Sequence, residues 1–391
     1  MTLRRVWALS VVPLASIFLA LVVGSIIIMA SSVVTTGTLD LTLPLVAYES
    51  LLEGATGFSF LNPDNGLALE LAIDPDRVAR NLTSSIVATS PLILTGLAVG
   101  VGFKAGLFNI GGTGQVLMGG FFAALVGAAI ADLPVPIAVT IAVLVGATGG
   151  ALYGMIPGAL KAFTGAHEVV STIMLNSLAA FVIVGLVNDV FKIVGPTFAR
   201  TADVGNAAMP ILFGRNGHFG IFIALALVPL TYFLLYRTTL GFEIRTTGAN
   251  PSAARYAGMS PRRLIILTMS LCGMFAGLAG TLEILLLGYY PAVFGTTIGF
   301  AGITVALLGR SHPFGILFAA LLLGAMRAGA PNMQIQAGVP VEIIDVIQGV
   351  ILLFLAAEIV VRRLLRIRDA ESATGAELAT VAKTYGGERA A

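Results

Sequence analysis

The chain has 391 residues, of which 57% are hydrophobic and only 11% charged, and its formal net charge is +2. A mean hydropathy of +0.97 leaves more apolar surface than a water-soluble fold can hide. One cysteine, Cys272, excludes an intrachain disulfide framework or a cysteine-based metal site, and His167, His218 and His312 form no ligand-spaced pair.

Apolar windows long enough to cross about 30 Å of hydrocarbon occur in ten places, near residues 7–29, 84–103, 114–131, 135–158, 168–187, 218–236, 264–286, 294–310, 313–330 and 341–361. They predict an all-α polytopic membrane protein with about ten transmembrane helices. The first window follows Arg4, Arg5 and Trp7 and runs longer than a signal-peptide core, the pattern of a retained helix. Residues 30–82 follow as an acidic stretch, with Asp40, Glu49, Glu53, Asp64, Glu70, Asp74 and Asp76 against Arg77 and Arg80, and turn formers at Asn62-Pro63-Asp64-Asn65-Gly66. It reads equally as a solvated external connector or as a docking surface.

After the second window the apolar tract is broken by Gly106-Leu107-Phe108-Asn109-Ile110-Gly111-Gly112-Thr113-Gly114-Gln115. Lipid cannot hydrogen-bond the backbone that a broken helix frees, so irregular backbone at membrane depth must be buried in protein or line a cavity. The break marks a candidate translocation path. Thr113 is placed to cap the next helix and leave free N–H groups facing that path. Further on, the spacing of Gly146, Gly150 and Gly154 predicts close helix packing. A second external stretch spans 188–217.

The loop at 237–263 contains two helix starts. Asn250-Pro251 places a capping residue before proline at the first helical position, predicting a short helix from Pro251 to about Ala257, ended by Gly258, and Ser260-Pro261 begins the next. The loop is read either as a basic segment at the lipid headgroups or as a protein-docking element gripped at Ala253, Ala254 and Ala257. Windows eight and nine, joined only by Arg310-Ser311-His312-Pro313, are short enough that either can be re-entrant. Gly299 and Gly302 in 295–309 form a counterpart to the first break, suggesting two related halves. The tail 369–391 lacks an apolar stripe and is expected to be disordered.

Ten spans put both termini on one side. With that side cytoplasmic, sixteen of the 22 Lys and Arg fall inside, as the positive-inside rule requires. Charge in hydrocarbon costs at least roughly 2.5 kcal/mol, which makes Glu283, the deepest acid, a functional suspect. Glu168 and Glu358 read as helix ends, and Asp345 as a partner for Arg327 or part of a cavity mouth.

The runs Thr89-Ser90-Pro91-Leu92-Ile93-Leu94-Thr95-Gly96-Leu97, Gly106-Leu107-Phe108-Asn109-Ile110-Gly111 with Gly114-Gln115, His167-Glu168-Val169-Val170-Ser171-Thr172-Ile173-Met174-Leu175-Asn176, the loop 241–258, and Gly299-Phe300-Ala301-Gly302-Ile303-Thr304-Val305-Ala306-Leu307-Leu308-Gly309-Arg310 resemble the permease subunits of bacterial ABC importers in the branched-chain amino acid and simple-sugar permease family. Within it they are most similar to nucleoside-uptake permeases. The resemblance divides the chain into a first helix and external loop (1–83), a permease core (84–361) and a cytoplasmic basic flank and tail (362–391). It implies a multi-pass protein of the bacterial cytoplasmic membrane, embedded in lipid, that imports nucleosides. Its partners would be ABC ATPase subunits that bind ATP and Mg, a second related permease and an external solute-binding lipoprotein, with no nucleic acid polymer among them. This chain has no phosphate-binding loop and no recognisable nucleophile and base pair, so it is expected to be a transport subunit without a cofactor, not an enzyme.

In this scheme Gly248, Asn250, Pro251, Ala253, Ala254 and Gly258 belong to a coupling helix that meets the ATPase. A hydroxyl-rich ligand with a flat base needs polar groups and aromatic faces, so the path is assigned to Phe108, Asn109, Gln115, Asn176, Glu283 and Phe300, with Phe103, Thr172, Tyr289 and Tyr290 as further liners. Each amide has a competing reading as a helix-to-helix hydrogen bond. A simple sugar such as ribose or a branched-chain amino acid are alternative substrates. An ion-coupled secondary transporter using Glu283 is the alternative from another class.

Overall fold

The computed structural model describes residues 3–36, 39–62, 68–193, 198–295, 297–357 and 361. Its elements in chain order are α1 (Leu3–Thr36), α2 (Leu43–Thr56), β1 (Phe58–Asn62), β2 (Ala68–Ile73), α3 (Pro75–Lys104), α4 (Gly112–Ala129), α5 (Val135–Thr164), α6 (Glu168–Asp189), β3 (Ile211–Phe213), β4 (Gly217–His218), α7 (Gly220–Arg237), α8 (Thr239–Ala249), α9 (Pro251–Tyr256), α10 (Pro261–Leu287), α11 (Ile298–Leu308), α12 (Pro313–Ala337) and α13 (Glu342–Ala356). Eight of the helices, α1, α3 to α7, α10 and α12, are long and apolar enough to cross a membrane. The chain is therefore an all-α polytopic membrane protein. At 1.5 Å per residue, the 11 residues of α11 rise only about 16 Å, roughly half the hydrocarbon thickness. The window 294–310 thus holds a half-length helix, stopped at Gly309 where Arg310 and Ser311 turn the chain with φ of 53° and 51°. The expected tail at 369–391, the turn residues 63–67 and Glu358 lie outside the described residues.

The chain divides into two compact units. The first is built from the described residues of 1–89, 213–217 and 319–375. In it the acidic stretch is folded as α2 followed by an antiparallel β1–β2 hairpin, with Phe58 opposite Ile73. Glu53 of α2 is buried and accepts hydrogen bonds from the Arg77 guanidinium, Gln336 Nε2 at 2.7 Å and Asn332 Nδ2 at 3.3 Å. Asn332 Nδ2 also donates to Ser50 O at 2.7 Å, and Asn81 Nδ2 to Glu53 O at 2.8 Å. The carboxylate pins α2 to α3 and α12, which a purely solvated connector would not do. Asp345 pairs with Arg327 at 3.6 Å, one of its two sequence readings.

The second unit takes residues 90–212 and 218–318. Helix α10 is its centre and packs against α4 and α5 through glycines. A Cβ on Gly150 would lie 2.5 Å from Gly277 Cα, and one on Gly154 the same distance from Met269 O, so only glycine permits these approaches. The predicted spacing in α5 therefore meets a matching stripe, Gly273 and Gly277, on α10.

Candidate functional site

The break between α3 and α4 lies in the second unit, beyond the start of α10. Gly119, seven residues beyond Gly112, abuts Gly277, sixteen residues beyond Pro261. The two helices run parallel: Gly127 packs on Val204, whose N–H donates to Gly288 O at the end of α10. The offset of nine residues places the start of α4 about 14 Å further along than the start of α10. Gly106, at φ 68°, turns the chain out of α3, and residues 107–110 have no regular structure.

Side chains take up the backbone groups freed there. Asn109 Oδ1 accepts the Gly111 N–H at 3.0 Å, and the carboxamides of Asn109 and Gln115 pair with each other at 3.0 and 3.3 Å, both residues being 1% exposed. Asn176 of α6 accepts the Gly114 N–H at 2.8 Å and donates through Nδ2 to Ile110 O at 2.9 Å. Glu168, fully buried at the first position of α6, accepts the Phe108 N–H at 3.4 Å through Oε1 and pairs with Lys161 Nζ at 2.6 Å through Oε2. Thr172, also buried, is spent on Glu168 O at 2.7 Å. The three carboxamides hold the irregular backbone together, Asn109 and Gln115 from within the break and Asn176 from another helix. The expected Thr113 cap is replaced: Gly111 is the capping residue, it makes no side-chain bond, and Asn176 satisfies the Gly114 N–H from another helix.

The other face of the break meets α11. A Cβ on Gly299 would lie 2.5 Å from Gly112 C, so α11 starts in backbone contact with α4. The adjacent Phe300 is 51% exposed. Phe108 is half-buried with its ring 5.3 Å from that of Phe103, which is itself buried. Glu283 is half-buried on α10, beyond the contact of Gly280 with Val116. Tyr290 is fully buried and its hydroxyl donates to Leu117 O at 3.3 Å, while Tyr289 lies under the Arg200 guanidinium at 4.3 Å. Tyr290 is thus part of the packed interior, and Tyr289 is half-buried. The structure thus gathers Phe108, Asn109, Gln115, Asn176 and the start of α11 around one break.

Comparison with known proteins places this architecture. Residues 81–356 match the family described as the branched-chain amino acid transport system / permease component. The chain belongs to this family. The permease is 40% identical to the guanosine ABC transporter permease protein NupP of Bacillus subtilis, over 70% of this chain and 80% of that protein. It is 34% identical to the nucleoside ABC transporter permease protein NupB of Lactococcus lactis, over 73% of this chain and 82% of that one. It is also 33% identical to a glucose ABC transporter permease protein of Haloferax volcanii, over 70% and 75% respectively. It is a multi-pass subunit of an ABC transporter in the cell membrane, a transport component and not an enzyme, of a kind that works with ATPase and solute-binding proteins.

The loop between α7 and α10 in this permease is fully structured. Thr238 Oγ1 caps α8 by accepting the Gly241 N–H at 3.1 Å, and Asn250 Oδ1 caps α9 by accepting the Ala253 N–H at 3.0 Å. Gly258, at φ 82°, follows α9 as expected. Pro251, Ala253, Ala257 and Gly258 are exposed together with Asn250, but Ala254 is fully buried within the chain and is not available to a partner in this structure. Tyr256, 94% exposed, stands out from the same helix and was not singled out in the sequence. Gly248 is buried against Lys104, Ala105 and Gly106. Arg245 Nε donates to Leu235 O at 2.9 Å, and its guanidinium lies 5.0 Å from the Tyr236 ring. Tyr232 and Tyr236 in turn pack on His312, each at 5.7 Å, in the turn between α11 and α12. Burial, and then the positive charge of Lys104, hold the His312 imidazole below its usual pKa. Sequence reasoning also missed the Lys161–Glu168 pair, for which the available signal was an acid opening an apolar helix seven residues after a lysine.

Proposed function

We propose that this permease imports nucleosides into the bacterial cytoplasm, driven by ATP that binds with Mg to separate ABC ATPase subunits. Its further partners are a second related permease and an external solute-binding lipoprotein. The observation that carries the reading is the likeness, over some 70% of the chain, to permeases named for guanosine and nucleosides at 40% and 34% identity. The site supports it: Asn109 and Gln115 are committed to each other, while Phe108 is half-buried and Phe300 exposed beside the break, and such aromatic faces suit a base. Glu283, half-buried further along α10, is the acid assigned to the path in this reading.

Both termini are cytoplasmic in this reading, supported by the distribution of Lys and Arg. Ten crossings then require α11 to complete one together with the irregular segment before it, making this the counterpart of the 106–115 break in two related halves. The exposed side of α9, with Asn250, Pro251, Ala253, Tyr256 and Gly258, receives the ATPase. The glucose permease relative supports a second reading, import of a simple sugar. Membership of an ABC family supports ATP over an ion gradient as the drive. Cells expressing the complete transporter should take up radiolabelled guanosine, and deleting the ATPase should abolish it; uptake unchanged by that deletion would refute the reading.

A further inference from the structure

The loop that carries α9 touches the break backbone to backbone. A Cβ on Gly248 would lie 2.7 Å from Ala105 C and 2.8 Å from Gly106 N, and one on Gly106 would meet Gly248 O at 3.1 Å and Gly248 Cα at 3.2 Å. No side chain lies between the two strands of backbone to absorb a displacement. Gly248 occupies the last turn of α8, two residues before the Asn250 cap of α9. Helix α8 is itself firmly seated. Gly241 abuts the backbone of Leu234 and Leu235, Ile244 and Thr247 are buried, and Arg245 hooks onto Leu235 O.

On the far side of the contact, residues 106–114 are tied into one piece. The Phe108, Gly111 and Gly114 N–H groups and the Ile110 carbonyl are all held by side chains, three of these four bonds being made by Glu168 and Asn176 of α6. That piece ends against Gly299, beside Phe300. A rigid path therefore runs from α9 through Gly248 and Gly106 to the start of α11. A rival path exists through α10, which begins at Pro261 just after α9 and packs on α4.

We propose that the Gly248–Gly106 contact passes the displacement of α9 to the break, so that Gly248 is a positioning residue that sets how much transport each ATP produces. The inference rests on α9 receiving the ATPase. On this account Gly248 and Gly106 act without touching either substrate or ATPase, and motion of α10 alone leaves the break where it was.

The test is hydrogen exchange by mass spectrometry on the complete transporter in lipid nanodiscs, with and without a nonhydrolysable ATP analogue. In the wild-type complex the analogue is expected to change exchange in peptides covering both 248–258 and 104–116. In Gly248→Ala the first peptide is expected to respond as before and the second to respond at least several-fold less. Guanosine moved per ATP hydrolysed, measured in proteoliposomes, should fall about tenfold. A wild-type response at 248–258 with none at 104–116 overturns the inference, and that comparison stands even where the variant does not assemble. An unchanged transport-to-hydrolysis ratio in an assembled Gly248→Ala complex overturns it as well. Should 248–258 itself not respond, α9 does not receive the drive and the inference falls with it. Absence of guanosine uptake by the wild type would strike only the substrate assignment, leaving the exchange data to decide the contact.

Discussion

Replacing Asn176 by leucine separates two roles for this side chain, brace of the break or contact for the substrate. Leucine is close to asparagine in size, so the loss is polar: the Gly114 N–H and the Ile110 carbonyl lose their partners at 2.8 and 2.9 Å. Leaving a buried backbone group unsatisfied costs about 1–3 kcal/mol. Asn176 is only half-buried, so the lower end applies to each group, about 2 kcal/mol together. At 1.36 kcal/mol per factor of ten, local opening of the break becomes roughly 30-fold more frequent. Hydrogen exchange at the Gly114 amide, followed in the complete transporter, reads that change directly. Asn176→Asp keeps the acceptor and should preserve most of the protection at Gly114. Loss of uptake, or a raised KM for guanosine, with exchange at 110–116 unaltered would refute the brace and make Asn176 a substrate contact.

Four other outcomes follow from the same geometry. Glu168→Leu removes the buried carboxylate that pairs with the largely buried Lys161 and should destabilise the permease by about 3 kcal/mol, read as a lower thermal unfolding midpoint. The double variant Glu168→Leu/Lys161→Leu should recover much of that loss, and no recovery would argue against the pair. Asn250→Ala removes the cap of a helix only six residues long at a cost of about 1 kcal/mol, and should lower uptake per ATP while Asn250→Asp retains it. Glu53→Ala withdraws the buried acceptor for Arg77, Asn332 and Gln336 and should cost at least about 2 kcal/mol, as measured by denaturation in detergent. His312, depressed in the fold by burial and by Lys104, contributes stability that is present above the ordinary value of 6.5 and is lost as pH falls through that value toward the folded one. Between pH 7.5 and 5 the wild-type melting temperature should therefore drop more than that of His312→Gln.

What the sequence made legible was local. Asn250-Pro251 and Ser260-Pro261 start helices where capping chemistry says they should, and Gly146, Gly150 and Gly154 pack closely because their spacing repeats on one helix face. The break at 106–115 was visible as glycine and amide residues within an apolar tract. The partners of those amides were not visible. Asn176 reaches Gly114 across 62 positions and Glu168 reaches Phe108 across 60, distances over which no spacing rule operates. For the same reason Glu53 read as one of several loop acids, although Gln336, 283 positions away, buries it. Ala254 looked like its neighbours because a six-residue helix has too few residues to show which side faces the chain.

The central claim is ATP-driven nucleoside import, and its most direct test is transport of radiolabelled guanosine by proteoliposomes holding this permease with its partner permease, ATPase and solute-binding protein. The account predicts guanosine accumulation against its gradient only when ATP is supplied to the ATPase side, with no accumulation from a proton or sodium gradient alone. Accumulation driven by an ion gradient without ATP, or ATP-driven accumulation of glucose or ribose with none of guanosine, would contradict it.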